Sequence, residues 1–365
     1  MYLKRTICII FFSLLLLSLS GCYYINEGCN LINVYSKAED IDAVLEKQDL
    51  AQDERELLVL VKDIKLFAVE KLDLKNDENY STYVQLDKDY LVDVVSACKN
   101  DSFEQYNWDY LFMGKMPYRG YFHYEDAFKE ACKLEQEGYD IYLRQVDAFS
   151  TLGFFKDPVF SFMKDHSIYY LANIIIHEQT HATFFINENI DFSENLAVFF
   201  GNEGAKQYIK EKHGENSELY KLVILYEDDV KKYRELLTEL YNELKELYSQ
   251  ETSTEEKLTQ KYKIIDNWKQ DFNNHYKSYF KTDSFRSVVD LEINNAFLAT
   301  YMNYSRDLDL FYTLYEVCSF DLKKVMQVVK GAKDFKGDAF DYIREYISSV
   351  TQAAAVRGDF LRITL

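Results

Sequence analysis

Between Asp53 and Leu74 apolar residues recur at Leu57, Leu58, Val61, Ile64, Phe67 and Ala68, with no glycine or proline among them. That spacing of three and four predicts an amphipathic helix. Tyr90 to Ala97, with LVDVV at its heart, fits a strand as well as a helix, because a short apolar run carries no decisive period. Gly114, Gly120, Gly138, Gly153 and both prolines, Pro117 and Pro158, crowd the next third, so turns and short strands are expected there. Within it DIYLRQVDAF, Asp140 to Phe149, alternates and reads as a strand. A long apolar helix follows, containing LANIIIHEQTHATFF, Leu171 to Phe185.

Residues 222–280 follow a different rule. Tyr226, Val230, Tyr233, Leu237, Leu240, Leu244 and Leu247 step alternately by four and three, which is a heptad seam. A polar break, SQETSTEE, separates it from Leu258, Tyr262, Ile265, Phe272 and Tyr279, where a related spacing resumes. Two helices folded back as a long antiparallel hairpin are the simplest reading, ahead of a seam between two copies of the chain. From Asp283 onward further helices are expected behind Asp or Ser caps. The expected class is mostly α, of α+β type.

Composition narrows the partners. The 365 residues include 31 Tyr and 26 Phe against only two Pro, in keeping with long helices, and the net charge is -19. An acidic chain has no basic field with which to displace counterions from a nucleic-acid backbone, so DNA and RNA are excluded as partners. At the N-terminus MYLKR is a short positive region and Thr6 to Leu19 an apolar stretch of leader length, too short for a confident membrane span. Leu19-Ser20-Gly21-Cys22 then resembles the lipobox of bacterial lipoproteins, which implies removal of residues 1–21 and lipidation of Cys22. Acyl chains there would hold the protein to a membrane surface in the cell envelope, with its body in solvent. Of the other cysteines, Cys29, Cys98, Cys132 and Cys318 remain, none in a CxxC pattern, and spacing assigns no pair.

Candidate chemistry concentrates at HEQTH. His177 and His181 stand one helical turn apart and can direct two imidazole nitrogens at one ion, while Glu178 lies about 100° further round the helix. H-E-x-x-H thus supplies two zinc ligands and a general base for a water whose pKa zinc lowers to about 7. A catalytic site needs a third protein ligand. In NENIDFSENLAVFFGNEGA, Glu194 is the best placed, because the apolar helix it opens could pack antiparallel to the first; Glu203 is the reserve. Asp191 with Glu194 also has the spacing of a capping pair that needs no metal. Upstream, Ser150 to Phe155 could form an edge strand that pairs with a peptide backbone, or an ordinary buried strand. Tyr301 is a candidate oxyanion donor, and Glu188, Asp191 or Glu203 could receive a substrate α-ammonium.

YRGYF (Tyr118 to Phe122), AFSTLGFFKDPV, HEQTH with DFSENLAVFFGNEGA, and INNAFLATYMNY together resemble, in order, a bacterial family of zinc aminopeptidases, typically predicted lipoproteins. The likeness runs over most of residues 30–320. It implies one zinc ion held by His177, His181 and Glu194, with Glu178 as catalytic base, in a gluzincin-like core with a small sheet. Gln179 and Thr180 depart from the family's usual HELAH, Ser193 stands where Asn is usual, and a pair of cysteines expected before YRGYF is missing. The organisation expected is a leader at 1–21, a lipidated Cys22 and tether at 22–50, a metallopeptidase core at 51–221, the hairpin at 222–281 and C-terminal helices at 282–365. The function expected is hydrolysis of peptides from their amino end by metal-activated water. A zinc endopeptidase, and a non-catalytic surface lipoprotein that binds a partner through the hairpin, are the alternatives.

Overall fold

The computed structural model describes residues 23–110, 114–147, 156–303 and 308–357. The chain enters as a helix over residues 23–35 (α1). It continues through β1 (Glu39–Asp40), α2 (Ile41–Leu45) and α3 (Gln52–Leu72). Leu57, Leu58, Val61, Ile64, Phe67 and Ala68 form the buried side of α3, so the apolar stripe faces inward as its period requires. Segment α1 is docked rather than loose. Tyr23 donates to the Gly120 carbonyl at 2.7 Å, Glu27 accepts from the Phe122 amide at 2.8 Å, and Tyr35 donates to Asp157 at 3.0 Å.

The breaker-rich third contains β2 (Thr82–Val84), β3 (Val92–Lys99), β4 (Trp108–Tyr110), β5 (Gly114–Met116), β6 (Tyr118–Tyr121), α4 (Tyr124–Gln136), β7 (Tyr139–Val146) and β8 (Val159–Phe160). Tyr90 to Ala97 resolves as strand, and its place in the sheet explains why. β3 is central, antiparallel to β6 on one side and β7 on the other. One of its faces packs on α4 through Val95 and Ala97, and Cys98 faces the other way. A strand covered on both faces needs no polar alternation, which is why its sequence carries no period. Separately, β1, β2 and β8 form a three-stranded sheet with β2 parallel to β8.

The remainder is helical: α5 (Ile168–Thr183), α6 (Ile190–His213), α7 (Glu218–Ser249), α8 (Thr254–Tyr279), α9 (Asn295–Asn303), α10 (Leu308–Val317), α11 (Leu322–Lys330) and α12 (Ala339–Arg357). Behind Asp283 the chain first makes a short 3-10 turn, Arg286–Asp290, whereas Asp321 caps α11 as expected by accepting from the amides of Lys323 and Lys324. The largest core joins α3, α5, α6, α10 and α11. A second is built from Tyr233, Leu237, Leu240, Leu244 and Leu247 of α7 and Ile265, Phe272 and Tyr276 of α8, together with Phe297 and Leu298 of α9, while Tyr262 of the expected seam is exposed because Lys261 takes the inward position beside it. The four described cysteines are unpaired thiols. No helix among the described residues is long and apolar enough to cross a membrane.

The packing of α5 on α6 positions the site. Asn173 bonds Asn202 at 2.7 Å while His181 reaches Glu194 at 3.4 Å, so α6 runs back along α5. Two glycines permit the close approach. A Cβ on Gly201 would lie 3.0 Å from the Asn173 carbonyl oxygen, and one on Gly204 would lie 2.9 Å from both Ile176 and Leu72. Gly204→Ala is therefore expected to lose about 1–3 kcal/mol to overpacking, more than alanine's helix propensity returns. Gly28→Ala is the control, because nothing stands within 4 Å of its would-be Cβ. Urea midpoints should fall for the first variant and hold or rise for the second.

Candidate functional site

Ser167 starts α5 by accepting from the Tyr170 amide. Leu171, Ala172, Ile175 and Ile176 turn toward the core, leaving His177 and His181 on the opposite, half-open stripe. Gln179 and Thr180, the departures from the usual motif, are wholly buried on the other side of the helix. Thr180 bonds back to the Ile176 carbonyl at 2.7 Å, and Gln179 reaches the Lys75 carbonyl at 3.3 Å.

Glu194 is placed by the turn before it. Asn189 caps α6 through the Phe192 amide, so Asp191 and Glu194 do not form the capping pair, and Glu194 lies in the second turn rather than at the opening. Ser193 is fully buried; its hydroxyl accepts from the Ile186 amide at 2.9 Å and lies 3.3 Å from the Asn189 carbonyl, pinning the connection between the two helices. The neighbouring Glu194 carboxylate is thereby held over the imidazoles, and its side chain is 46% exposed.

The three side chains converge. Nε2 of His177 and Nε2 of His181 are 3.1 Å apart, Glu194 Oε1 is 3.4 Å from the latter, and Oε2 is 3.7 Å from the former. Donors bound at 2.0–2.1 Å around a tetrahedral zinc ion would be separated by roughly 3.3 Å, so these atoms have the spacing of three corners of such a site. They are the one group of His, Cys, Asp or Glu with metal-binding spacing among the described residues. Residue chemistry agrees, since two imidazoles and a carboxylate suit zinc. Nδ1 of His181 has no hydrogen-bond partner among the described residues.

Electrostatics separate the roles. Burial, aided by the neighbouring His181, pushes His177 down to about 4, so its imidazole is neutral near pH 7 and free to donate a lone pair. Burial also disfavours a charged His181, yet the Glu194 carboxylate outweighs it and lifts that imidazole above its ordinary value. Glu194, although desolvated, is held below the usual carboxylate range by His181. Burial drives Glu178 up to about 7; His181 partly opposes this, and Asp157, Glu194 and Asp77 reinforce it. A carboxyl group poised near neutrality beside a candidate metal position can exchange a proton with water.

Several expected residues lie elsewhere. Glu203, the reserve ligand, is buried against Lys206 at 2.6 Å. Glu188 and Asp191 are exposed at the start of α6. Tyr301 packs on Tyr233 in the second core, because α9 belongs to the α7 and α8 layer. Cys22 and the segment Ser150 to Phe155 lie outside the described residues. Conversely, the surroundings of Glu178 were not legible beforehand: Asp157, Asp77, Tyr35 and Tyr80 arrive from separate segments. Tyr35 bonds Asp157, the Asn79 side chain bonds both Asp77 and the Asp157 amide, and the Tyr80 amide bonds the Asp157 carbonyl. Only the KDPV stretch that contains Asp157 stood out in the sequence.

No curated protein and no solved structure matches the chain. A family model described as "Putative aminopeptidase" matches residues 22–339, which spans α1 through the start of α12 and every side chain of the triad. With most of its length so matched, the chain belongs to that aminopeptidase family.

Proposed function

We propose that this chain is a zinc-dependent aminopeptidase in which His177, His181 and Glu194 hold one ion and Glu178 is the general base. The observation that carries the reading is the mutual spacing of the three donor atoms, 3.1, 3.4 and 3.7 Å. A bound zinc would polarise the scissile carbonyl and make water acidic enough to be deprotonated at neutral pH. Glu178 would accept the proton of the attacking water and later give it to the leaving amine. Its half-buried setting limits its contact with bulk water. Asp157 and Asp77 make the region around Glu178 negative, which favours a free α-ammonium over an acylated amino end and supports exopeptidase action over endopeptidase action.

The remaining parts fit the same picture. Lys257 reaches the Tyr248 carbonyl, Trp268 the Leu236 carbonyl, and the Lys281 amide Asp229, contacts that suit α7 and α8 as an antiparallel hairpin. In this reading Cys22 carries the lipid, and docked α1 would hold the catalytic body close to the membrane surface, where peptide is the substrate. The test combines metal analysis with cleavage. The purified chain should contain one zinc ion, a chelator should abolish hydrolysis of amino-acyl reporters, and acetylation of a peptide's amino end should prevent its cleavage. Unchanged hydrolysis after complete metal removal would refute zinc dependence; cleavage of acetylated peptides would favour the endopeptidase.

A further inference from the structure

Helix α1 is apolar on two sides, and the fold covers only one of them. At about 100° per residue Tyr23, Glu27 and Val34 share a face, and that face docks. Besides the bonds of Tyr23 and Glu27, the Arg119 guanidinium stands over the Tyr23 ring at 3.5 Å, Tyr24 donates to the Asp109 carbonyl at 3.0 Å, and Leu31 and Val34 pack on the main core. Directly opposite, Ile25, Cys29 and Ile32 succeed one another by four and three, and all three are exposed. Ile25, at 68%, is the most open large apolar side chain among the described residues, and Ile32 is 59% exposed.

The outer face also carries no charge. Glu27 is the one charged residue between Tyr23 and Tyr35, and it is buried on the inner side, where it accepts from the Phe122 amide. Elsewhere charge is abundant: 28% of the whole chain is charged, and the net charge is -19. A helix on the surface of a globular body ordinarily turns charged and polar residues outward, opposite its core stripe. Here the exposed stripe is flanked only by Asn26, Asn33 and Ser36, which are polar but neutral. Taking it out of water therefore buries apolar side chains and strands no ion.

Position in the chain names the apolar phase. Cys22, the residue expected to carry acyl chains, directly precedes Tyr23, the first residue of α1. One residue spans at most about 3.3–3.6 Å, so no free length of chain stands between an acylated Cys22 and the docked helix. Positions 22, 25, 29 and 32 keep the same spacing of three and four in the sequence. Ile25 and Ile32 are seven residues apart, roughly 10 Å along the helix axis, so the stripe begins within a turn of the anchor. With α1 fixed to the body by its inner face, an anchor at its first turn leaves the outer face as the one nearest the lipid.

We infer that Ile25, Cys29 and Ile32 form a membrane-docking face, by which α1 lies in the plane of a lipid surface with these side chains about 5–10 Å into the boundary between headgroups and acyl chains. The inference rests on the lipid at Cys22 and not on the peptidase reading. The full chain, purified in acylated form and reconstituted in phosphatidylcholine vesicles, tests it. A fluorophore on Cys29 in a Cys132→Ser background reports its surroundings, because Cys98 and Cys318 are buried. Lipids bearing a nitroxide near the top of the acyl chain should quench the label, and aqueous iodide should quench it several-fold less than it does a free label. Since the face is uncharged, quenching by the lipid should not change with salt. Ile25→Asp combined with Ile32→Asp should reverse both effects, while the acyl chains keep the variant on the vesicles and the exposed positions leave its urea midpoint in place. An acylated wild-type chain whose Cys29 stays open to iodide and unquenched by lipid overturns the inference and leaves the anchor standing. An unmodified Cys22 by mass spectrometry overturns the anchor, and the inference with it. Protection from iodide without quenching by lipid, lost as lipid is added at fixed protein, would assign the stripe to a second copy of the chain instead.

Discussion

The Glu178→Gln substitution is expected to lower kcat/KM by about 10²- to 10⁴-fold while the chain still holds one zinc ion. Glutamine matches the shape of the carboxylate and cannot accept the proton, and the three donor atoms on His177, His181 and Glu194 are left intact. The pH profile sharpens the expectation. Burial places the Glu178 carboxyl at about 7 in the metal-free site, and the base is its ionised form. Activity limited by this group must therefore fall as pH drops through its pKa. A divalent cation beside the carboxylate favours ionisation, so in the loaded enzyme that acid limb should lie below 7. In the variant, residual activity should lose this limb at constant zinc content. Retention of full activity with an unchanged acid limb would remove Glu178 from the reaction.

The largest expected effect on stability is at Lys261. Its side chain is wholly buried on α8, where it pairs with Asp140 of β7 and donates to the Asn100 carbonyl at 3.0 Å. The same Asp140 accepts from the Asn295 amide at the start of α9, so a single carboxylate joins sheet, hairpin and α9. Lys261→Ala leaves this carboxylate desolvated and without its cation, which is expected to cost about 3–5 kcal/mol. Burial already raises the Asp140 carboxyl above its ordinary value despite Lys261, and removing the cation raises it further. A carboxyl whose folded pKa exceeds the unfolded one favours the native state while protonated, and that contribution is lost as pH rises through the folded pKa. The deficit relative to wild type should thus be largest near neutrality and narrow in acid. Urea unfolding at both pH values measures it, and a deficit independent of pH would show that lost packing, not the stranded charge, dominates.

Local chemistry made much of the site readable in advance. His177 and His181 share a face because an α-helix turns every 3.6 residues, and the apolar stripe beside them fixes which face is outward. The stripe of α3 and most of the α7 seam, Tyr233, Leu237, Leu240, Leu244 and Leu247, were legible for the same reason and are buried, whereas on α8 Ile265 and Phe272 are buried but Tyr262 is exposed and Lys261 and Tyr276 turn inward instead. The third donor was visible only as the best of several acids. Its distance from the imidazoles depends on how closely α6 packs, which Gly201, Gly204 and the Ser193 bond to Ile186 decide together.

What failed to show in the sequence depends on elements distant along the chain. Tyr301, a candidate donor by its place in INNAFLATYMNY, lies on α9 against α7, where its ring packs on Tyr233 away from the imidazoles. Asp77 and Asp157, whose charges raise Glu178 beside that of Glu194, come from segments that no local period connects to HEQTH. Sequence alone therefore determined the helical character, the paired imidazoles and the adjacent carboxyl group, since each is a property of one segment and its period. Tertiary structure alone decided the Glu194 approach, the depth of Glu178 and the placing of Tyr301 in the second core, because burial and field strength at a point are sums over every segment that passes near it.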